Sequence, residues 1–280
     1  MFVRSFGWRT ASALGAAAAV LALAVPASAS TGTTEISPEQ AGYTATGAQF
    51  KNVTASVFLR DPAQYAGEVA SFADSVQLWS SGLVAVLGAT ASTSGSDYLP
   101  YVKIFDASSH QLVASDPAAS WCDEDDNCLP AIGTFAAGDT VLFTVTYDPK
   151  AGFLNFSAID RTYPDWGLVA GYTTGPGTSF TQARIGTEFG PDPWTAPSSH
   201  NPPANPAKIA VYTGVQLTSS SGHTATLSSW WVHHKLLANT GQQSGSDWVA
   251  VPAGLSSGGA SFQTWFVPHS KQGPDQPVLP

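Results

Sequence analysis

The chain has 280 residues, of which 43% are hydrophobic and only 11% are charged, and its formal net charge at pH 7 is −9. Such an acidic chain is a poor partner for nucleic acid, because phosphate contacts need clustered Lys and Arg. The low charge density also means that few carboxylates must be protonated as the pH falls, so we expect the protein to tolerate acid.

The first 29 residues have the pattern of a secretory signal. Arg4 and Arg9 precede an apolar run at residues 11–25, and Ala27-Ser28-Ala29 supplies a small-residue cleavage site. No later run reaches the roughly 20 apolar residues of a membrane-spanning helix. We therefore expect a secreted, extracellular protein with no membrane span.

The rest of the chain reads as strands separated by turns. Residues 30–42 predict a flexible leader, residues 43–268 a single domain and residues 269–280 a tail. Because no window has a helical period, we expect an all-β fold, a curved antiparallel β-sandwich of the jelly-roll, concanavalin-like kind with one concave polar face. The predicted strands are 53–59, 75–79, 83–90, 98–106, 140–148, 153–160, 167–173, 179–189, 209–217, 223–232, 248–251 and 262–267.

Turn residues predict two hairpins and one long loop. Residues 148–152 (Asp-Pro-Lys-Ala-Gly) join the strands on either side of them, and residues 174–177 (Thr-Gly-Pro-Gly) indicate a second hairpin between 167–173 and 179–189. Residues 190–207 carry six prolines, which cannot pair within a sheet, so we expect a long loop next to Glu188.

Cys122 and Cys128 are the only cysteines, and in an exported chain they predict a disulfide that closes a short loop. The enclosed residues 123–127 carry four carboxylates and one amide, which suits Ca²⁺ but equally suits a solvated acidic loop. His233 and His234 are adjacent on a predicted strand and point to opposite faces, so they cannot share one metal ion. We expect no metal and no cofactor.

Strand 179–189 carries the main candidate site. Alternation places Gln182, Arg184 and Glu188 on one face and apolar side chains on the other, while Gly186 leaves room for a ligand. Glu188 is the residue of this face that we would test first, and a solvated side chain or an ion pair with neighbouring strands is the alternative. Aromatic candidates for binding are Trp79 and, in the proline-rich loop, Trp194.

No serine-hydrolase elbow, zincin motif, phosphate loop or dinucleotide fingerprint is present in the sequence. Several segments together do resemble the eqolisins, the exported glutamic peptidases of β-sandwich fold, over about residues 42–267. The segments that carry the resemblance are Gly42–Phe50, Val53–Val57, Ser75–Trp79, Ala137–Val141 and Ala183–Glu188.

The resemblance implies that Glu188 acts as a general base on water and that a glutamine on a neighbouring strand stabilises the oxyanion. The strand at 83–90 should carry that glutamine, yet its aligned position is Leu87. Gln77, on the preceding strand, is the candidate substitute.

Three functions follow from this departure. The first is an exported eqolisin-like sandwich that binds an extended polymer, peptide or glycan, around Glu188 and Arg184, with peptidase activity in doubt. The second is an active acid glutamic endopeptidase with Glu188 and Gln77 as its catalytic residues. The third is a lectin-like or cell-envelope binding module in which Trp194 and its neighbours bind the ligand. We expect a monomer in each case.

Overall fold

The computed structural model describes residues 34–37, 40–65, 71–92, 95–115, 120–122, 128–130, 133–164, 166–189, 207–230, 232–239 and 250–266. The predicted signal (1–29), the acidic loop 123–127, the loop 190–206 with Trp194, and the predicted tail (269–280) lie outside the described residues. Within the described ranges the only helices are two short 3-10 turns, Pro62–Tyr65 and Ser257–Gly259, and no helix is long and apolar enough to cross a membrane.

The strands, numbered in chain order, are β1 Thr34–Ser37, β2 Gln40–Thr46, β3 Phe50–Leu59, β4 Ser71–Trp79, β5 Leu83–Ser92, β6 Asp97–Asp106, β7 Leu112–Ser115, β8 Ser120–Cys122, β9 Cys128–Pro130, β10 Phe135–Ala136, β11 Thr140–Asp148, β12 Phe153–Asp160, β13 Gly167–Thr173, β14 Gln182–Glu188, β15 Ala207–Ser219, β16 Thr224–Ala225, β17 His233–Asn239, β18 Ala250–Pro252 and β19 Phe262–Phe266.

These strands form two layers, which confirms the predicted β-sandwich. The layer that holds the candidate site, called the site sheet below, has the order β1, β17, β2, β14, β4, β5, β6 and β7. The second layer has the order β8, β13, β12, β11, β3, β15, β19 and β18. Pairing within both layers is antiparallel, apart from β1 with β17.

Side-chain alternation builds the core between the layers. In β3, for example, Val53, Ala55, Val57 and Leu59 are fully buried, while the intervening residues are more exposed. The inward residues of β4, β5 and β14 meet this surface from the site sheet and complete one continuous apolar cluster. The opposite face of the site sheet is therefore left to present polar groups.

The first predicted hairpin is confirmed and the second is wrong. β11 and β12 pair from Asp148 with Phe153 outward, around the predicted turn. β13, however, pairs with β12 in the second layer, whereas β14 pairs with β2 and β4 in the site sheet. Buried Phe180 and its backbone bond to Phe50 lie in the crossing between layers. The Gly and Pro residues at 174–177 predict a turn, but they do not determine which sheet the next strand joins. Burial of apolar side chains determines that.

Two other segments differ from expectation. Within the predicted flexible leader, β1 pairs with β17 and β2 already begins at Gln40, so sheet structure precedes residue 43. The predicted strand 223–232 is wrong beyond β16, because Ser229 accepts a bond from the Thr226 amide and its carbonyl accepts one from Val232. These local bonds make a turn where the apolar pattern suggested a strand.

Candidate functional site

The candidate site lies on the outer face of β14, between β2 and β4. Ala183, Ile185 and Thr187 are fully buried in the direction of the core, which confirms the predicted alternation. Glu188 therefore belongs to the outer face, yet only 4% of its surface is exposed. A carboxylate so deeply buried on an outer sheet face needs hydrogen-bond partners.

Gln77 and Ser75, both on β4, supply these partners. The Gln77 amide nitrogen donates to Glu188 Oε1 over 2.6 Å, and the Ser75 hydroxyl donates to the same oxygen. Gln77 Nε2 also lies 3.3 Å from Ser75 Oγ. The structure thus brings together the two residues predicted as catalytic, and their catalytic role remains a prediction.

Gly186 allows the Glu188 carboxylate to reach Ser75 and Gln77. Glu188 is opposite Ala73 in the strand register, Ser75 is opposite Gly186, and Gln77 is opposite Arg184. Because Gly186 has no side chain, the Glu188 carboxylate can extend along β14 to reach Ser75 and Gln77. A Cβ at Gly186 would also clash with the backbone of β2 at the Ala41 carbonyl.

Trp79 fixes the orientation of the Gln77 amide. Its indole nitrogen donates to Gln77 Oε1 over 2.6 Å, so the amide oxygen faces Trp79 and the amide nitrogen faces the carboxylate. The Arg184 guanidinium lies 3.9 Å from the centre of the Trp79 ring. With its amide oxygen turned toward the guanidinium, Gln182 accepts bonds of 2.6 and 3.1 Å from Arg184. Three predicted binding residues, Trp79, Arg184 and Gln182, therefore form one group beside Gln77.

Leu87, which the resemblance aligns with the glutamine of the eqolisins, does not face Glu188 in the structure. Leu87 is fully buried in the core between the sheets, and the residue of β5 opposite Gln77 is Val86. Val86 forms a small apolar cluster on the outer face with Val84 and Phe105. The amide beside Glu188 therefore comes from β4 and not from β5.

Tyr101 and Lys103 of β6 extend the site. Tyr101 is opposite Gly88, and its hydroxyl would lie 2.8 Å from a Cβ placed on that glycine, so the phenol crosses β5 toward Glu188. Burial, together with hydrogen bonding to Glu188 and its charge, raises the pKa of Tyr101 well above 10, which keeps the hydroxyl protonated. The Lys103 ammonium lies 4.8 Å from the centre of the Tyr101 ring.

Burial dominates the electrostatics of Glu188. Removal from water raises the pKa of its carboxyl above 4.5, and the bonds from Ser75 and Gln77 and the charges of Lys103 and Arg184 oppose this rise. A carboxyl held in this way is a stronger base than an exposed one when it is ionised.

A second buried carboxyl lies behind the site, on the core side of β4. Asp74 is fully buried and accepts bonds of 2.7 Å at Oδ1 from the hydroxyls of Thr187 and Tyr212. Thr264 lies 2.9 Å from Thr187 and extends the network. Among the described residues, Asp74 Oδ2 has no hydrogen-bond partner. Desolvation raises the pKa of Asp74 to about 7.

Sequence reasoning missed Ser75, Tyr101, Lys103 and Asp74. Ser75 could have been found, because it lies two residues before Gln77 and shares its face. The others depend on strand register, which the sequence does not contain. Trp194 lies outside the described residues. In the part of the chain that is described, no cluster of three or more His, Cys, Asp or Glu side chains is arranged to hold a metal ion.

The cysteine prediction is only partly addressed by the structure. β8 and β9 pair antiparallel, with Cys122 opposite Cys128 in the backbone register. The disulfide itself stays a prediction, as does calcium binding by the enclosed loop.

The fold is an all-β sandwich like that of the eqolisin glutamic peptidases. No protein-family model matches the chain, and no curated protein sequence matches it. Two structures of scytalido-glutamic peptidase, one with a transition state analog inhibitor and one with a peptide-based transition state analog, match with TM-scores of 0.56 and 0.55 at 13% and 15% identity. SCP-B, an eqolisin-family peptidase in complex with the tripeptide Ala-Ile-His, matches with a TM-score of 0.52 at 14% identity. Each match covers 82% of this chain and 98% of the other.

Proposed function

We propose that this protein is an exported acid hydrolase that cleaves extended peptides, with Glu188 as its general base. The observation that carries the proposal is the 2.6 Å bond from the Gln77 amide to a carboxylate that is almost fully buried. A desolvated carboxylate beside a neutral amide donor suits hydrolysis of an amide bond. Peptide is the proposed substrate class because solved structures of the same fold hold a tripeptide and a peptide-based transition state analog.

The chemistry requires an ionised Glu188. Its carboxylate takes a proton from a water molecule as the water oxygen bonds to the carbonyl carbon of the peptide. The carbonyl oxygen then carries negative charge, and the Gln77 amide and the Tyr101 hydroxyl are the neutral donors beside it. Collapse of the tetrahedral intermediate breaks the C–N bond, and Glu188 returns its proton to the leaving amine.

The pKa of Glu188 sets the expected pH dependence. Since burial raises this pKa above 4.5, the fraction of ionised base still increases with pH beyond that value. We therefore expect kcat/KM to rise with an inflection above 4.5. Assays should cover the range from about pH 3 to about pH 7.

The test is cleavage of denatured casein by the wild-type protein and three variants. We expect Glu188→Gln to lower kcat/KM by about 10³-fold or more and Gln77→Ala by about 10²-fold. Gln111→Ala, at an exposed position outside the site, is the matched control and should cleave at the wild-type rate. Absence of cleavage across the whole pH range, or equal cleavage by Glu188→Gln, would contradict the proposal.

A second candidate function is peptide binding without hydrolysis. Two observations favour it: Glu188 Oε1 already accepts two bonds, and Val86 lies where β5 could have offered another donor. In that case the wild-type protein and Glu188→Gln would both be retained on immobilised denatured casein, and neither would cleave it.

A further inference from the structure

A cavity of about 470 Å³ lies beside the hairpin of β15 and β16, and none of the residues of the candidate site line it. Its most unusual feature is Trp230, whose side chain is 92% exposed. An exposed tryptophan next to a cavity is typical of a binding surface, because a ligand in the cavity can cover the large apolar area of its indole. The lining residues are Gly47, Ala48, Ser219, Ser221, His223, Thr224 and Trp230.

The polar groups of this cavity are held in place by one another. Ser219 Oγ lies 2.8 Å from Ser221 Oγ, which in turn lies 3.2 Å from His223 Nδ1. The His223 backbone amide donates to Ser219 Oγ over 3.1 Å and closes the chain of bonds. These hydroxyls are therefore presented to a ligand with little freedom left to lose on binding.

The lining indicates the class of ligand. Among the described residues that line it there is no Lys, Arg, Asp or Glu, so these residues offer no permanently charged partner to a ligand. Hydroxyls and an imidazole pair well with a ligand that is itself rich in hydroxyls, and the indole offers a flat apolar face. A sugar ring has both properties, and the volume falls within the range of small-ligand sites.

We propose that this cavity is a carbohydrate-binding site in which Trp230 stacks on a sugar ring. The site is separate from the carboxylate: Gly47 follows one end of β2, whereas Glu188 pairs with Gln40 at the other end. The length of β2 between them is about 20 Å. Binding there does not depend on the function proposed for Glu188.

The test is retention of the whole exported protein on insoluble cellulose, chitin and β-1,3-glucan. We expect the wild-type protein to be retained on at least one of them. Trp230→Ala should lose about 10-fold or more in affinity, because it loses the stacking of one aromatic ring on the sugar. Trp166→Ala, at a tryptophan that is 56% exposed elsewhere on the surface, is the matched control and should bind like wild type. Glu188→Gln should also bind like wild type.

Thermal unfolding of Trp230→Ala should match that of wild type, because the side chain is almost wholly in solvent. Retention on none of the three polysaccharides, or equal retention of Trp230→Ala, would overturn the proposal. It would also be overturned if denatured casein, and no polysaccharide, bound in a Trp230-dependent manner, since the cavity would then be a peptide site.

Discussion

Asp74→Asn should change how the stability of this protein depends on pH. The side chain is fully buried, and desolvation raises its pKa from 3.8 to about 7 in the folded state. A group whose pKa is raised by folding contributes most stability below its unfolded pKa, and the contribution is lost as the pH rises through the folded pKa. Wild-type stability should therefore fall between about pH 4 and about pH 7.

The size of the effect follows from the two pKa values. At about 1.4 kcal/mol per pKa unit, the rise from 3.8 to about 7 corresponds to about 4 kcal/mol of unfolding free energy. Asparagine cannot ionise and keeps an oxygen that can accept the bonds from Thr187 and Tyr212. At acid pH the variant should thus lie within about 1 kcal/mol of wild type.

Denaturant unfolding of both proteins between about pH 3 and about pH 8 measures the difference. Burial also raises the pKa values of Glu188 and Asp139, so these two groups also make the stability of both proteins fall as the pH rises. The quantity that isolates Asp74 is the stability of wild type minus that of Asp74→Asn. It should decrease by about 4 kcal/mol over this range, while Asp97→Asn, at an exposed position, should follow wild type. Parallel curves for wild type and Asp74→Asn would refute the reasoning.

Three further changes test the site. Tyr101→Phe removes only a hydroxyl, so the fold should persist while kcat for casein cleavage falls by about 10-fold or more; an unchanged kcat would exclude the hydroxyl as a donor. Trp79→Phe removes the indole donor that orients Gln77, so we expect a lower kcat with a wild-type unfolding midpoint. The double variant Trp79→Phe/Gln77→Ala should have a kcat no lower than that of Gln77→Ala alone. Gly186→Ala forces a Cβ against the β2 backbone and should destabilise the fold by about 1–3 kcal/mol in urea unfolding, whereas Gly82→Ala, which has open space around it, should change stability by less than about 1 kcal/mol.

Much of the sheet could be predicted from local patterns. The strands at 140–148, 153–160 and 167–173 were predicted with the bounds that the structure has, because alternation and turn residues act over a few neighbouring positions. The same alternation placed Glu188 and Arg184 on one face of β14. Local pattern failed at 223–232, where the Ser229 hydroxyl accepts a bond from the Thr226 amide and backbone bonds complete a turn.

Only part of the candidate site could be predicted from the sequence. Glu188 and Gln77 were singled out through face parity and family resemblance, but their contact depends on the register of β14 against β4 and on the space above Gly186. Tyr101 required the further register of β5 with β6, which brings it opposite Gly88.

By itself, the sequence determined that the protein is an all-β sandwich and which face of each strong strand turns inward, because both follow from the order of polar and apolar residues along single strands. Tertiary structure alone decided which strands became neighbours, since pairing depends on burying apolar faces that lie far apart in the chain. It also determined that the pKa values of Glu188 and Asp74 are raised, because these shifts come from the loss of water and from groups brought close in space, which local sequence does not specify.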